Sequence, residues 1–262
     1  MARFMTLCSS SSGNAVYVGY QQYGILIDAG RNAKQLKLSL RDAGIDPASL
    51  KAIFVTHEHT DHVSALRVLA SNLHIPVYAT GGTLAALNNA GILDGRFPFE
   101  KLMPGGVAVG DMQVAPFATC HDAKESCGYR IDMPGCSVGI ATDTGRVCAE
   151  MLETLSGCDL VLLESNYDEE MLEYGPYPPP LKARIRSGIG HLSNDDCAAA
   201  AALLLQSGVR RFVLGHLSRE NNTPTLATVC TRNALKRMGA VPDRDFELLA
   251  APVESMGKYM VI

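Results

Sequence analysis

Apolar residues in this chain recur in two patterns, short strand-like runs and longer segments with helical spacing. Ser, Gly, Asn and Pro separate the runs, and the helical segments repeat apolar residues every three or four positions. An alanine-rich segment that begins behind Ser193 has the start of a capped helix. The predicted strands are 3–7, 15–19, 24–28, 51–56, 76–79, 107–109, 112–119, 128–133, 137–142, 159–164, 211–215, 246–250 and 258–261. The predicted helices are 33–43, 63–73, 83–90, 147–155, a stretch up to 186, 194–206 and 226–238.

The order of these elements predicts an α+β fold. Two groups of strands are each followed by helices, which favours a sandwich with the sheets inside and the helices outside. Hydrophobic residues make up 47% and charged residues 19% of the 262 residues, which supports a sizeable core and excludes long disorder. No linker with the composition of a domain boundary interrupts the pattern. We therefore expect one domain over residues 1–262.

Targeting and cysteine usage point to the cytoplasm. No apolar run approaches the ~18 residues of a membrane span, and the first residues contain no apolar stretch before a cleavage site. We therefore expect a cytoplasmic protein without a membrane partner. The eight cysteines form no C-x-x-C pair, which favours buried thiols over disulfides or a zinc knuckle.

The strongest chemical signal is the segment from Thr56 to His62, which reads THEHTDH. His57, His59, Asp61 and His62 lie within six residues, directly after a predicted strand. Imidazoles and a carboxylate together suit zinc, manganese or iron. His57 and His59 can face one cation, and Asp61 and His62 can face a second cation nearby. A solvated His-rich loop is the alternative interpretation.

Further ligands are expected where other strands end. His121, Asp143 and His216 each follow an apolar strand run, which is where a sheet presents side chains at its edge. Each of them taken alone would more often be an ordinary loop residue, but the THEHTDH segment reverses that expectation. His74 has no such position, and we interpret it as structural.

The motifs HEHTDH, LIDAG, ATDTG and LGHLS, together with His121, resemble the metallo-β-lactamase fold over residues 28–216. The resemblance implies an αββα four-layer sandwich, with two mixed sheets, helices on the outer faces and two divalent cations at the shared rim. It also implies that Asp28 supports the HEHTDH segment from behind. The implied ligands of the first cation are His57, His59 and His121, and those of the second are Asp61, His62 and His216, with Asp143 bridging the two.

Motifs outside the metal segment resemble a narrower family, the YycJ (WalJ) exonucleases of bacteria. They are SSSGNA at Ser10, ESNYD at Glu164, YPPPLK at Tyr177, GHLSN at Gly190 and GHLSRENN at Gly215. The resemblance implies 5′-to-3′ degradation of DNA with divalent metal, manganese in the first place and zinc or iron as further options. In that family a Gly more often opens the motif, as GSSSGN, and the segment Cys8-Ser9-Ser10 of this chain lacks that first Gly.

His191 is a candidate proton donor. It follows the Glu164 strand and precedes a helix start, and the pair resembles a Glu–His pair of the tRNA-processing ribonuclease Z enzymes, in which the His is taken as the proton donor. A structural or phosphate-contacting His191 is the alternative. Asp61 would help to orient the attacking water, and Glu164 would support His191.

Charge is distributed unevenly along the chain. The net charge is −4, yet residues 181–240 contain nine basic residues against three acidic ones. This asymmetry permits a basic face for nucleic-acid phosphates, and ordinary solvated helix faces explain it equally well. The Ser/Gly/Asn segment could also bind a terminal phosphate, although such a pattern more often marks a simple turn. The candidate substrate contacts are Ser10, Ser12, Asn14, Asn166, Lys182, Arg184 and Arg219.

The favoured function is a metal-dependent nuclease that contacts DNA through its backbone phosphates. The fold alone does not decide this, because the superfamily also includes hydrolases of other substrates. A hydrolase of small esters, thioesters, lactones or cyclic phosphodiesters is the main alternative, and a non-catalytic metal-binding protein is the third. Salt dependence separates the first two, since binding to phosphates weakens steeply with salt. The oligomeric state is not predicted.

Overall fold

A computed structural model of the chain describes residues 1–252, 257 and 259–262. Lys258, the first residue of the last predicted strand, lies outside the described residues. In chain order the strands are β1 (Ala2–Ser10), β2 (Gly13–Tyr20), β3 (Tyr23–Ile27), β4 (Leu50–Phe54), β5 (Val77–Ala79), β6 (Phe99–Lys101), β7 (Val107–Val109), β8 (Met112–Ala118), β9 (Cys127–Met133), β10 (Cys136–Ala141), β11 (Leu160–Glu164), β12 (Arg211–Gly215), β13 (Glu247–Ala250) and β14 (Met260–Val261). The α-helices are α1 (Ala33–Asp42), α2 (Thr60–Val63), α3 (Leu66–Leu73), α4 (Gly81–Asn89), α5 (Ala149–Leu155), α6 (Glu169–Tyr174), α7 (Pro179–Ile185), α8 (Asn194–Gln206) and α9 (Pro224–Arg237), and a 3₁₀ helix spans Pro47–Ser49.

The strands form two mixed sheets built on the same plan. Within the described residues each sheet has seven strands, in the orders β14-β1-β2-β3-β4-β5-β6 and β13-β12-β11-β10-β9-β8-β7. Pairing is antiparallel from β14 to β3 and from β7 to β10, and parallel from β3 to β6 and from β10 to β13. Parallel neighbours require crossover connections, and most of the helices lie on these connections. The carboxyl ends of the parallel strands therefore lie at a common edge of each sheet.

Three apolar layers hold the sheets and helices together. Phe54 and Ile25 of the first sheet meet Tyr129 and Leu162 of the second, and the rings of Phe54 and Tyr129 pack edge to face at 5.6 Å. Helices α1, α3 and α4 cover the outer face of the first sheet, and α5, α8 and α9 cover that of the second. This arrangement confirms the predicted αββα sandwich.

Some predicted elements differ from the structure for local reasons. The helix predicted over 63–73 is two helices, because the chain turns between α2 and α3 at Ser64 and Ala65. His74 lies outside the helical pattern and ends α3 with a left-handed backbone. Strand β6 and helix α6 were not predicted, since β6 is exposed at the sheet edge and α6 has only six residues. Among the described residues, no helix combines the length and the apolar character that crossing a membrane requires.

The eight cysteines are free thiols in the structure. Cys8, Cys127, Cys158 and Cys197 are buried, and the others are half-buried. Burial raises the pKa of the Cys8 thiol to about 12, and it does the same for Cys197. These buried thiols therefore stay protonated at neutral pH and act as small apolar side chains.

Candidate metal centre

Seven polar side chains converge where the strands of both sheets end. Four of them come from the loop after β4 and from α2, which begins directly behind that loop. The others follow β8, β10 and β12. All take part in clusters whose potential ligand atoms lie within 4.8 Å of one another. The seven side chains are His57, His59, Asp61, His62, His121, Asp143 and His216.

His57, His59 and His121 form the first group. His59 Nδ1 lies 3.0 Å from His57 Nε2 and 3.3 Å from His121 Nε2. Nitrogen ligands around a tetrahedral zinc ion lie ~3.4 Å apart, so this spacing fits a single cation. His57 Nδ1 can donate to Thr56 Oγ1, and His121 Nδ1 can donate to the Gly190 carbonyl. These bonds leave both Nε2 atoms with a lone pair for a metal.

Asp61, His62 and His216 form the second group. Asp61 Oδ2 lies 3.4 Å from His62 Nε2 and 3.7 Å from His216 Nε2. Asp143 lies between the groups, with Oδ2 3.2 Å from His62 Nε2 and Oδ1 3.7 Å from His121 Nε2. This position suits a carboxylate that is shared by two cations.

Two buried atoms of these groups support this interpretation. Asp143 Oδ2 and His216 Nε2 have no hydrogen-bond partner among the described residues. An unsatisfied buried polar group costs about 1–3 kcal/mol, and native proteins contain few of them. Cations would satisfy both atoms, and imidazole and carboxylate ligands suit zinc, manganese or iron. The residues present therefore fit two divalent cations.

Asp28 lies behind the second group. Its Oδ1 accepts a hydrogen bond from the Thr56 backbone N–H at 2.8 Å, and its Oδ2 accepts from Thr56 Oγ1 and from His62 Nδ1, both at 2.8 Å. With the proton on Nδ1, His62 presents the lone pair of Nε2 to the second group. This is the position that the predicted supporting role of Asp28 requires.

Three residues of the site have a left-handed backbone. The φ angles of Asp28, Asp143 and His216 are 63°, 57° and 55°. Each follows the end of a strand, where the chain turns into the site. A residue other than glycine pays about 1–3 kcal/mol for a sparsely populated conformation of this kind, and such strain clusters at functional sites.

Neighbouring carboxylates control the protonation of the second group. Burial alone would lower the pKa of the His216 imidazole. The carboxylates of Asp143, Asp61 and Glu164 outweigh burial and raise that pKa to about 10. Burial likewise opposes ionisation of Asp143, yet His216 and His62 hold its pKa well below the usual value. The group therefore attracts positive charge, and a cation would compete with protons for the same atoms.

Glu164 joins His191 to the second group. Its Oε1 accepts hydrogen bonds from His191 Nδ1 and His216 Nδ1, both at 2.8 Å. Burial opposes ionisation of Glu164, but His191 and His216 lower its pKa. The carboxylate is fully buried, the His191 side chain is 14% exposed, and His191 Nδ1 lies 3.8 Å from Asp143 Oδ1. The His191 ring is thus held at Nδ1 by Glu164 and is partly exposed.

The β1–β2 hairpin brings the Ser/Gly/Asn motif to the site. Asn14 Nδ2 donates to Asp61 Oδ2 at 3.3 Å and lies 3.1 Å from His62 Nε2. Ser10 Oγ lies 2.9 Å from Ser12 Oγ, and of these two residues only Ser12 is exposed. The predicted motif is thus both a hairpin turn and a part of the rim.

The other candidate substrate contacts already have partners. Arg184 donates to both carboxylate oxygens of Asp122, at 2.5 and 3.0 Å, and the Lys182 ammonium donates to a backbone carbonyl. Asn166 is buried and donates from Nδ2 to the carbonyl of His216 at 2.8 Å, so its amide fixes that loop. Arg219 is exposed, three residues after His216.

Sequence reasoning missed the parts of the site that hold the predicted ligands in position. The hydroxyl of Thr56 connects His57 to Asp28, and the backbone carbonyl of Gly190 fixes His121. A Cβ on Gly190 would lie 2.2 Å from two carbonyl oxygens of α7, which explains the glycine. The sequence indicates these two residues only by their place in the chain, since Thr56 directly precedes His57 and Gly190 directly precedes His191.

Comparisons with known proteins agree with this fold and site. A model of the beta-lactamase superfamily domain matches residues 23–217. The exodeoxyribonucleases YycJ of Bacillus anthracis and WalJ of Streptococcus pneumoniae are each 34% identical over 249 residues, which cover 94% of this chain and 93% of theirs. The crystal structure of YhfI, a metallo-β-lactamase fold protein from Bacillus subtilis, is similar with a TM-score of 0.74 at 14% identity and covers 98% of both chains.

These matches differ in what they establish. The likeness to YhfI shows the fold alone, because the sequence identity is low. The domain model covers most of the chain, and the two exodeoxyribonucleases match it almost from end to end. The chain therefore belongs to the metallo-β-lactamase superfamily and, within it, to the family of metal-dependent hydrolases that includes YycJ and WalJ.

Proposed function

We propose that this chain is a metal-dependent phosphodiesterase that degrades DNA as a 5′-to-3′ exonuclease. The observation that carries the proposal is the pair of 2.8 Å hydrogen bonds that Glu164 Oε1 accepts from His191 and His216. Through these bonds, the partly exposed imidazole of His191 is held beside His216, one of the three residues that fit the second cation. Phosphodiester hydrolysis needs charge neutralisation at phosphorus and a proton for the leaving oxygen. This corner of the site offers residues for both.

Two divalent cations would supply the electrostatic part of the reaction. Bound at the site, they would lower the pKa of water and neutralise charge on the phosphate. Manganese and zinc are the proposed cations, with iron as a further option, because the same ligands accept all three. The first would be held by His57, His59 and His121, and the second by Asp61, His62 and His216, with Asp143 shared.

His191 is the proposed proton donor to the leaving 3′-oxygen. Glu164 orients its ring, because its buried carboxylate accepts a hydrogen bond from His191 Nδ1. Asp61, whose Oδ2 faces both His62 and His216, would help to orient the attacking water. Asp28 acts one step away from the reaction, because it fixes the tautomer of His62.

Substrate contacts are proposed around the same rim. Ser10, Ser12 and Asn14 of the hairpin would bind a terminal 5′-phosphate through hydroxyl, amide and backbone N–H groups. Arg219 would contact the DNA backbone, and so would Arg184 after it exchanges Asp122 for a phosphate. The remaining proposed contacts are Asn166 and Lys182, which would need to exchange their present partners for the substrate. We further propose that the protein acts in the cytoplasm.

The decisive experiment compares labelled substrates. The purified protein is incubated with Mn²⁺ and with DNA and RNA oligonucleotides labelled at either the 5′ or the 3′ end. We expect early release of mononucleotides from the 5′ end of DNA, and no cleavage by His57→Ala or Asp143→Ala. Arg96→Gln, at an exposed Arg paired with Asp94 outside the site, is the matched control.

Two results would contradict the proposal. Early release from the 3′ end would reverse the direction and leave a nuclease. If no oligonucleotide is cleaved while a thioester or a lactone is hydrolysed with the same metals, the alternative of a small-ester hydrolase is correct. Salt provides a second criterion, since cleavage of long DNA should fall steeply between about 50 and 200 mM salt, as general phosphate binding does.

A further inference from the structure

Helices α1 and α3 enclose a groove on the outer face of the first sheet. The groove has a volume of about 490 Å³. Lys34, Lys37 and Arg41 of α1 line one wall, and Val68 and Asn72 of α3 line the other. The metal centre does not use any of these residues. We call this feature the α1–α3 groove.

The charge of the groove is entirely positive. Lys34, Lys37 and Arg41 lie three and four residues apart, so they point to one side of α1. No carboxylate lines the groove, and among the described residues none of these three side chains takes part in an ion pair. By contrast, Arg184 near the metal centre is paired with Asp122. These three basic side chains of α1 are therefore available to an anionic partner.

The groove is connected to the rim of the metal centre by a short segment of chain. Lys34 lies six positions after Asp28, a distance of at most ~20 Å in extended chain. Within this segment Arg31 lies over the β1–β2 hairpin, since a Cβ on Gly13 would be 2.5 Å from Arg31 Cγ. Arg31 has no ion-pair partner among the described residues. It therefore continues the positive charge from the hairpin to the groove.

We infer that the α1–α3 groove binds the phosphates of the DNA strand beyond the metal centre. This inference rests on the proposed function, and it names a contact surface that lies apart from the reacting atoms. From Lys34 to Arg41 the helix rises ~10 Å. That length matches about three nucleotide steps of ~3.4 Å. The apolar side chains of Leu38 and Val68, both about half exposed, would pack against the sugars.

The test measures binding of DNA by metal-free protein, so that no cleavage occurs. A fluorescent 30-base-pair duplex is titrated with wild type and with the triple variant Lys34→Gln, Lys37→Gln, Arg41→Gln at several salt concentrations. We expect at least a tenfold decrease in affinity at 0.1 M salt. The slope of log K against log salt should fall by about 2.7, or about 0.9 for each phosphate that the variant no longer neutralises.

The chain offers a matched control on the opposite outer layer. Arg232, Lys236 and Arg237 are exposed on α9, which covers the second sheet, and their triple Gln variant removes the same charge. We expect less than a twofold change in its affinity. Thermal unfolding of both variants shows whether each is folded.

Three outcomes would overturn the inference. Unchanged affinity of the α1 variant, with wild type binding DNA, excludes the groove and leaves the proposed function intact; the groove would then serve another partner, such as an acidic protein segment. Equal decreases in both variants would mean that only total charge matters. If wild type neither binds nor cleaves DNA, the proposed function fails together with the groove.

Discussion

The substitution Asp28→Asn should weaken the binding of one of the two cations and leave the fold intact. In the structure the Asp28 carboxylate only accepts hydrogen bonds, from the Thr56 backbone, the Thr56 hydroxyl and His62 Nδ1. In Asp28→Asn, the amide oxygen can still accept from the Thr56 N–H, but the NH₂ group then faces His62. His62 must turn to the other tautomer, with the proton on Nε2. A protonated Nε2 cannot bind a cation.

The expected magnitude follows from the hydrogen bond that Asn cannot accept from His62. A hydrogen bond to a charged group contributes about 1.5–3 kcal/mol. At about 1.4 kcal/mol for each tenfold change, this corresponds to a decrease of about 10- to 150-fold in affinity for the cation at Asp61, His62 and His216. Mutation of supporting residues at metal sites typically costs about 10–100-fold, which is the same range. The first group should keep its cation, because Asp28 contacts none of its ligands directly and reaches His57 only through the Thr56 hydroxyl.

Metal titration checks this expectation. Chelator-treated protein is titrated with Zn²⁺ or Mn²⁺ against a chromophoric competitor, and elemental analysis gives the number of bound ions. We expect two equivalents for wild type and one tight equivalent for Asp28→Asn. Asp46→Asn is the matched control, because it makes the same exchange at an exposed carboxylate outside this network. Two tight equivalents in Asp28→Asn would refute the tautomer argument, and thermal unfolding without metal would detect simple misfolding.

Three further predictions concern chemistry, close packing and the core. His191→Ala should slow DNA cleavage by about 10²–10⁴-fold in single-turnover assays, the usual range for a general acid, while both metals stay bound; loss of a metal equivalent by elemental analysis would contradict the proposed role. Gly30→Ala should lower metal content, because its Cβ would lie 1.5 Å from the Asp61 carbonyl oxygen, whereas Gly105→Ala, with no atom within 4 Å, should bind metal as wild type does. Phe54→Ala should lower the free energy of unfolding by about 3–5 kcal/mol, because the Phe54 side chain is fully buried between the sheets. Urea unfolding measures this loss, and a value below about 1 kcal/mol would show that the core collapses into the vacated space.

The sequence by itself determined the fold class and indicated which side chains meet in the His/Asp cluster. Strand and helix patterns are local, so the β-branched run before His57 and the periodic segment behind Ser193 could be recognised one at a time. Strands end at the edges of sheets, and for that reason His121, Asp143 and His216 could be selected from their position after strands. The patterns failed where local signals are weak, as at the exposed edge strand β6 and at the break between α2 and α3.

Only the tertiary structure decided how these residues are held and which charges are free. Glu164 and His216 are 52 residues apart, and no local pattern reveals that one carboxylate oxygen serves both His216 and His191. Likewise, composition placed an excess of positive charge in residues 181–240. The structure, by contrast, pairs Arg184 with Asp122 and leaves Lys34, Lys37 and Arg41 on α1 without ion pairs among the described residues. The physical reason is that hydrogen bonds and ion pairs depend on distances of about 3 Å between atoms that the fold brings together, and a linear sequence does not contain those distances.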